Sequence, residues 1–176
     1  GKIHIFNSLN ASLGQGQIAI VAAQCAKAGM SILETLTILK ETRNNTKTYA
    51  IIPNLKYAVR GGRVPKSIKL IAEIMRLTPI LQTTSDGYLK TKNFLFGRKD
   101  VLKRFSRFIS KYHNKDEKIT ISIGHACAPE RAKLLKSYFL VDLPRATECK
   151  ITEIGSAIGV HGGPGAIVVG IQIQSD

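Results

Sequence analysis

Gly155-Ser156-Ala157-Ile158-Gly159-Val160-His161-Gly162-Gly163-Pro164-Gly165 joins two apolar runs, residues 151–154 and 166–173. Runs rich in Ile and Val and bounded by Gly and Pro read as buried strands. The connection holds five glycines, one proline and one histidine. Glycine lets the backbone take positive φ and approach a ligand closely. Bare N–H groups in such a turn can face an anion. His161 is its only titratable side chain, and an imidazole donates a proton or a hydrogen bond near neutral pH. The expectation is a polar, anion-accepting lip on an apolar cavity. The plainer alternative is a tight turn whose histidine bonds a backbone carbonyl.

Working outward, the 176 residues suit one domain or one and a half. A hydrophobic content of 44% is enough for a packed core. No apolar run reaches the length of a membrane span, and the first residues lack the layout of a signal peptide. These features predict a cytoplasmic protein. Cys25, Cys127 and Cys149 are odd in number and form no CxxC pair, so they read as reduced core thiols, and no metal site is expected. The formal charge is +14, and residues 60–118 alone carry a net +10. A basic stretch of that kind suits nucleic acid, an acidic protein surface or an anionic ligand. Aromatics at only 6%, with no RNA-binding motif, argue against nucleic acid.

In chain order, residues 2–6 read as a strand that leads through a polar loop to a helix over 17–28. Gly14-x-Gly16 in that loop lacks the third glycine of a dinucleotide fingerprint. Ser31-Ile32-Leu33-Glu34 is a capping box opening a second helix to about residue 42. The polar break at Arg43-Asn44-Asn45-Thr46 suggests two parts. Residues 1–45 form a partial N-terminal or interdomain segment, and 46–176 form an α/β domain. In the second part a strand over 48–52 precedes a short helix capped by Asn54. Arg60-Gly61-Gly62-Arg63 offers two guanidiniums, each able to hold a carboxylate or phosphate bidentately. A helix over 67–77 would bury Met75 as core filler. Residues 79–83 and 88–96 flank Ser85-Asp86-Gly87 as a hairpin. Beyond Gly97-Arg98-Lys99 comes an amphipathic helix with Val101, Leu102, Phe105, Phe108, Ile109 and Tyr112 inward. A strand over 118–124 ends at His125, read as a hydrogen-bonded structural residue. Pro129 opens the next helix, and strands over 147–154 and 166–174 finish the chain. The predicted architecture is α/β, a mixed sheet packed with helices. Ser8 and Ser12 have no sequence-defined reach to His125 or His161, so no catalytic triad is read and the chain is not expected to be an enzyme.

Several signatures occur in one order: Ser8-x-x-x-Ser12-x-Gly14-x-Gly16, Leu55-x-x-x-x-Arg60-Gly61-Gly62-Arg63-Val64, Thr78-Pro79-Ile80-Leu81 with Asp86-Gly87, Gly97-Arg98-Lys99, Gly124-His125-Ala126, and Ile158-Gly159-Val160-His161-Gly162-Gly163-Pro164-Gly165. Together they resemble the DegV family of bacterial fatty-acid-binding proteins, in its C-terminal portion. The resemblance implies a two-domain fold with a further Rossmann-like lobe upstream and a long-chain fatty acid in a tunnel between the lobes. It implies that His161, with Gly163 and Gly165, holds the fatty-acid carboxylate, and that upstream Thr and Ser hydroxyls share it. Position 162 usually carries a small hydroxyl residue in that family; here it is Gly162. It also implies no cofactor and a partner kinase that makes an acyl phosphate for phospholipid metabolism. The resemblance further implies that an arginine in the region of Arg98 takes part in docking that kinase. Arg60 and Arg63 match the family's arginine-glycine turn and stay as candidate anion or partner contacts.

Overall fold

The computed structural model describes residues 3–64, 66–67, 70, 75–113 and 116–174. In chain order its helices are α1 (Ser12–Lys27), α2 (Ile32–Asn44), α3 (Lys56–Arg60), α4 (Val101–Ser110), α5 (Pro129–Asp142) and α6 (Ser156–Gly162). Its strands are β1 (Thr46–Ile51), β2 (Leu77–Thr83), β3 (Leu89–Phe96), β4 (Ile119–His125), β5 (Ala146–Glu153) and β6 (Ile167–Ile173). They form one mixed six-stranded sheet in the order β3-β2-β1-β6-β4-β5. Only β4 and β5 run parallel, joined across one face by α5; the other neighbours are antiparallel.

Strand alternation divides the molecule. Tyr49, Ile51, Ile80, Ile121, Ile123, Val169 and Ile171 face α4 and α5, where Phe105, Ile109, Leu135 and Phe139 complete the main core. The opposite residues, Ala50, Leu81 and Val168, meet Leu13 of α1 and Ile158 of α6. Burying each such side chain contributes about 1.5–3 kcal/mol. The main core therefore holds the fold, and the thinner second layer leaves room for a cavity. α1 is fixed on that thinner side by a buried amide. Gln17 Nε2 donates to the carbonyls of Thr120 and Gly170 and to Ser122 Oγ, so one side chain ties the helix to β4 and β6.

A bulge in the β2–β3 pair shapes the cavity side. Ile80 pairs with Asn93, but Leu81 pairs with Thr91, so Lys92 is extra. One inserted residue reverses the alternation of the strand. Leu89 and Thr91 thus turn to the cavity face, while Leu95, of the same parity, enters the main core.

The capping box is present: Glu34 N donates to Ser31 Oγ, and Ser31 N donates to the Glu34 carboxylate at 2.8 Å. The hairpin and the inward face of α4 also follow the pattern. Other expectations fail. Residues 3–6 form no strand, and Ile3 and Ile5 are over 90% exposed, because no neighbouring strand supplies hydrogen bonds. α1 begins at Ser12, five residues earlier than its periodicity suggests. Most of the helix expected over 67–77 lies outside the described residues. Its last member, Leu77, opens β2, and Met75 is exposed rather than core. Cys127 is exposed, Cys149 half-buried and only Cys25 buried, so the thiols are free but not all internal.

His113, just past α4, gives a pH dependence. Its side chain is 5% exposed, and neither ring nitrogen has a hydrogen-bond partner. Burial pushes its pKa below the ordinary 6.5, and Glu117 offsets this only in part. The folded state therefore keeps the neutral ring while the unfolded chain takes up a proton. Stability is full above pH 6.5 and declines as pH falls below it. Urea titrations between pH 7.5 and 5 should show that loss in the native chain and a flatter profile in His113→Gln. Identical profiles would remove this account.

Candidate functional site

The second layer encloses a cavity of about 340 Å³ between the sheet, the start of α1, α3 and α6. Ala50, Ile52, Leu81 and Val168 make its floor, and Ile154, Ile158, Val64 and Leu89 its walls. Its polar contributions are few: Ser12, Thr48, Thr91, Arg63 and His161. An apolar chamber with a handful of placed polar groups is the usual form of a small-molecule site.

The glycine-rich connection is not simply the turn expected from sequence. Residues Ser156–Gly162 make α6, and only Gly163 (φ 70) and Gly165 (φ 84) take left-handed conformations. His161 occupies the last turn of that helix and is half-buried. Its position is set by contact with α3. A β-carbon at Gly61 would overlap the imidazole Nδ1, and one at Gly163 would overlap the Tyr57 ring. Two glycines, one on each side, thus let α3 and α6 close on each other. Nδ1 is buried against Gly61 without a hydrogen-bond partner, which leaves Nε2 as the ring nitrogen open to a ligand. The carbonyl bond of the plainer reading is not formed. Gly162 also lines the cavity; Gly163 and Gly165 do not.

Of the arginines, Arg63 lines the cavity with His161. Arg60, at the end of α3, lines neither this cavity nor the groove at Arg98. Arg98 lies at a second, larger groove near the starts of α4 and α5, which meets the first at Leu55. His125 is buried and accepts a hydrogen bond from Ala128 N at Nδ1, the structural role expected.

Ser12, weighed from sequence only as a nucleophile and as part of a signature, was not among the expected binding residues, yet it lines the cavity. It opens α1 with φ 51, a conformation that costs a non-glycine residue about 1–3 kcal/mol. α1 has no side-chain cap and no acid in its first turn. Ser12 thus lines the cavity at the start of a helix that has no acid in its first turn. Behind it, Asn10 Oδ1 accepts from the hydroxyls of Thr48 (3.0 Å) and Thr83 (3.3 Å), and Asn10 Nδ2 donates to the Thr46 carbonyl. That network holds the loop into α1 on the sheet. The spacing Ser8-x-x-x-Ser12 just before a helix was the available signal.

Among the described residues, no group of three His, Cys, Asp or Glu could hold a metal ion, and no helix is long and apolar enough to cross a membrane.

Residues 1–174 match the family described as "Uncharacterised protein, DegV family". A DegV domain-containing protein of Clostridium perfringens is 31% identical over 99% of this chain and 61% of its own length. A DegV family protein of Ruminococcus gnavus, solved with vaccenic acid, superposes with a TM-score of 0.81 at 26% identity, over 96% of this chain and 60% of that one. The B3 protein of the Streptococcus pneumoniae fatty acid kinase, solved with linoleic acid, has the same fold, with a TM-score of 0.85 at 17% identity over 98% and 60% of the two chains. The chain thus spans about three fifths of the length of these relatives.

Proposed function

This chain belongs to the DegV family, and on that premise we propose that it binds a long-chain fatty acid and presents the carboxylate to a partner kinase. The observation that carries the reading is the apolar cavity with His161 and Ser12 on its lining. A hydrocarbon tail gains about 0.8 kcal/mol per buried methylene, so tail burial dominates affinity. A carboxylate left unpaired in an apolar site is costly. His161 Nε2, the Ser12 hydroxyl and the uncapped start of α1 are the donors available to it, and Gly163 and Gly165 set the path that holds His161 in place. Thr48 and Arg63 are further polar groups of the same lining. The R. gnavus and S. pneumoniae proteins, solved with vaccenic and linoleic acids, support the ligand class. The kinase named for the second supports the partner, with Arg98 as its contact. Binding and presentation need no catalytic residue in this chain.

In this reading residues 1–45 border an upstream lobe that closes the tunnel, and residues 46–176 are the C-terminal lobe. The exposed Ile3, Ile5 and Leu33 suit such a border. Three free cysteines suit a reducing compartment, hence the cytoplasm.

Native mass spectrometry of gently purified protein, alone and joined to an upstream DegV lobe, should show co-purified fatty acid. His161→Ala should weaken oleate binding about 10–100-fold, the loss of one charge-assisted hydrogen bond. Binding of the matching fatty alcohol should stay within about threefold, because the alcohol lacks the charge. Protein that carries no lipid and ignores added oleate in both forms would sink the proposal.

A further inference from the structure

The turn that carries Arg98 joins β3 to α4. Gly97 (φ 69) and Asp100 (φ 52) are both left-handed, and α4 has no side-chain cap. A non-glycine residue keeps such a conformation only where its surroundings over-determine it. Arg98 and Lys99 stand exposed between these two residues. The brace comes from Arg104, one turn into α4. Its backbone N–H donates to the Asp100 carbonyl at 2.9 Å, and its side chain folds back toward the end of β3. Nη1 donates to the Phe96 carbonyl at 2.6 Å, and Nη2 to the Gly97 carbonyl at 3.4 Å. Nε is enclosed, so the side chain lies against the protein rather than in water. Lys103 and Arg107 on the same helix are exposed instead. A guanidinium fork can hold two carbonyls at once, and its charge strengthens both bonds. Arg104 lines neither the His161 cavity nor the groove at Arg98, so its donors are directed at the backbone of the turn and not at a ligand.

We propose that Arg104 is a positioning residue for the partner kinase. It clamps the end of β3 to the first turn of α4 and so holds residues 97–100 in the conformation that presents Arg98. Ordering a loop on docking weakens binding, and a turn fixed beforehand avoids that loss. The role rests on the reading of Arg98 as the kinase contact; the hold on the turn does not.

Two measurements test this. Backbone ¹⁵N relaxation reads the hold directly. Amides of residues 97–100 should be rigid in the parent, with order parameters of about 0.85, and fall below about 0.6 in Arg104→Met. Methionine keeps the long stem and is nearly as good a helix former, so α4 itself should stay ordered. Calorimetry with the kinase partner of the S. pneumoniae B3 protein reads the consequence. Arg98→Gln and Arg104→Met should each weaken binding about tenfold, as loss of a charge-assisted contact does. The double variant should be no weaker than Arg98→Gln, because Arg104 acts only through the turn; a merely structural loss would add to it. Arg107→Met, the same charge change at an exposed position of α4, should stay within about twofold. Oleate affinity of Arg104→Met should also stay within about twofold, because the residue lies off the cavity. A turn that stays rigid in Arg104→Met, additive losses in the double variant, or equal weakening by Arg107→Met would each overturn the proposal. A kinase that ignores the parent, or binds Arg98→Gln equally well, would instead remove the partner reading, and the proposal with it.

Discussion

Gly163→Ala is expected to destabilise the chain by about 2–5 kcal/mol, from two separable causes. The first is backbone conformation. Gly163 has φ 70 and ψ 172, a region that is essentially restricted to glycine. The second is contact, because a β-carbon there would overlap the Tyr57 ring. A double-mutant cycle in urea separates them. Tyr57→Ala removes the ring, so Gly163→Ala should cost less in that background, by about 1–3 kcal/mol. The conformational part should persist in both backgrounds. His161 lies two residues upstream on α6, and the same change should move its ring, visible as altered imidazole ¹⁵N resonances. A loss below about 1 kcal/mol, or no coupling to Tyr57, would show that α6 is not held as described.

Elements fixed by neighbours in sequence were legible. The Ser31–Glu34 box is a reciprocal local contact, and the Asp86-Gly87 hairpin needs a turn only glycine accepts easily. The apolar spacing of α4 reports its packing face directly. α6 was not legible as a helix. Glycines within it lower intrinsic propensity by about 1 kcal/mol each. The structure offsets this through close packing on α3, which Gly61 and Gly163 permit. That compensation is tertiary and leaves no local trace.

The same distinction applies to the site. His161 stood out by its composition-rich surroundings, and it does line a cavity. Ser12 did not, because its relevance comes from a left-handed φ and the absence of a cap. Leu89 and Thr91 reach the cavity only because Lys92 bulges. Arg98 and Arg63 looked alike as arginines beside glycines, yet the fold sends them to different hollows. The failed strand at residues 3–6 has the opposite lesson. Its alternation was strand-like, but a strand exists only with a partner, and the described residues provide none.

The largest functional effect is expected from Ala50→Phe. Ala50 is 6% exposed on β1, and its side chain faces the cavity floor between Leu81 and Val168. A phenyl ring there would occupy space that a hydrocarbon tail needs. Excluding even four methylenes costs about 3 kcal/mol, so fatty-acid affinity should fall more than about 100-fold. The fold should tolerate the change within about 1–3 kcal/mol, because the ring enters a hollow rather than a filled core. The pattern across ligands separates this change from one at His161. His161→Ala removes a donor to the carboxylate, so the acid should weaken while the fatty alcohol is spared. Ala50→Phe removes room for the tail, so acid and alcohol should weaken together. A folded Ala50→Phe protein that still takes oleate within about threefold of the parent would place the tail elsewhere, and the cavity beside His161 would lose its assignment.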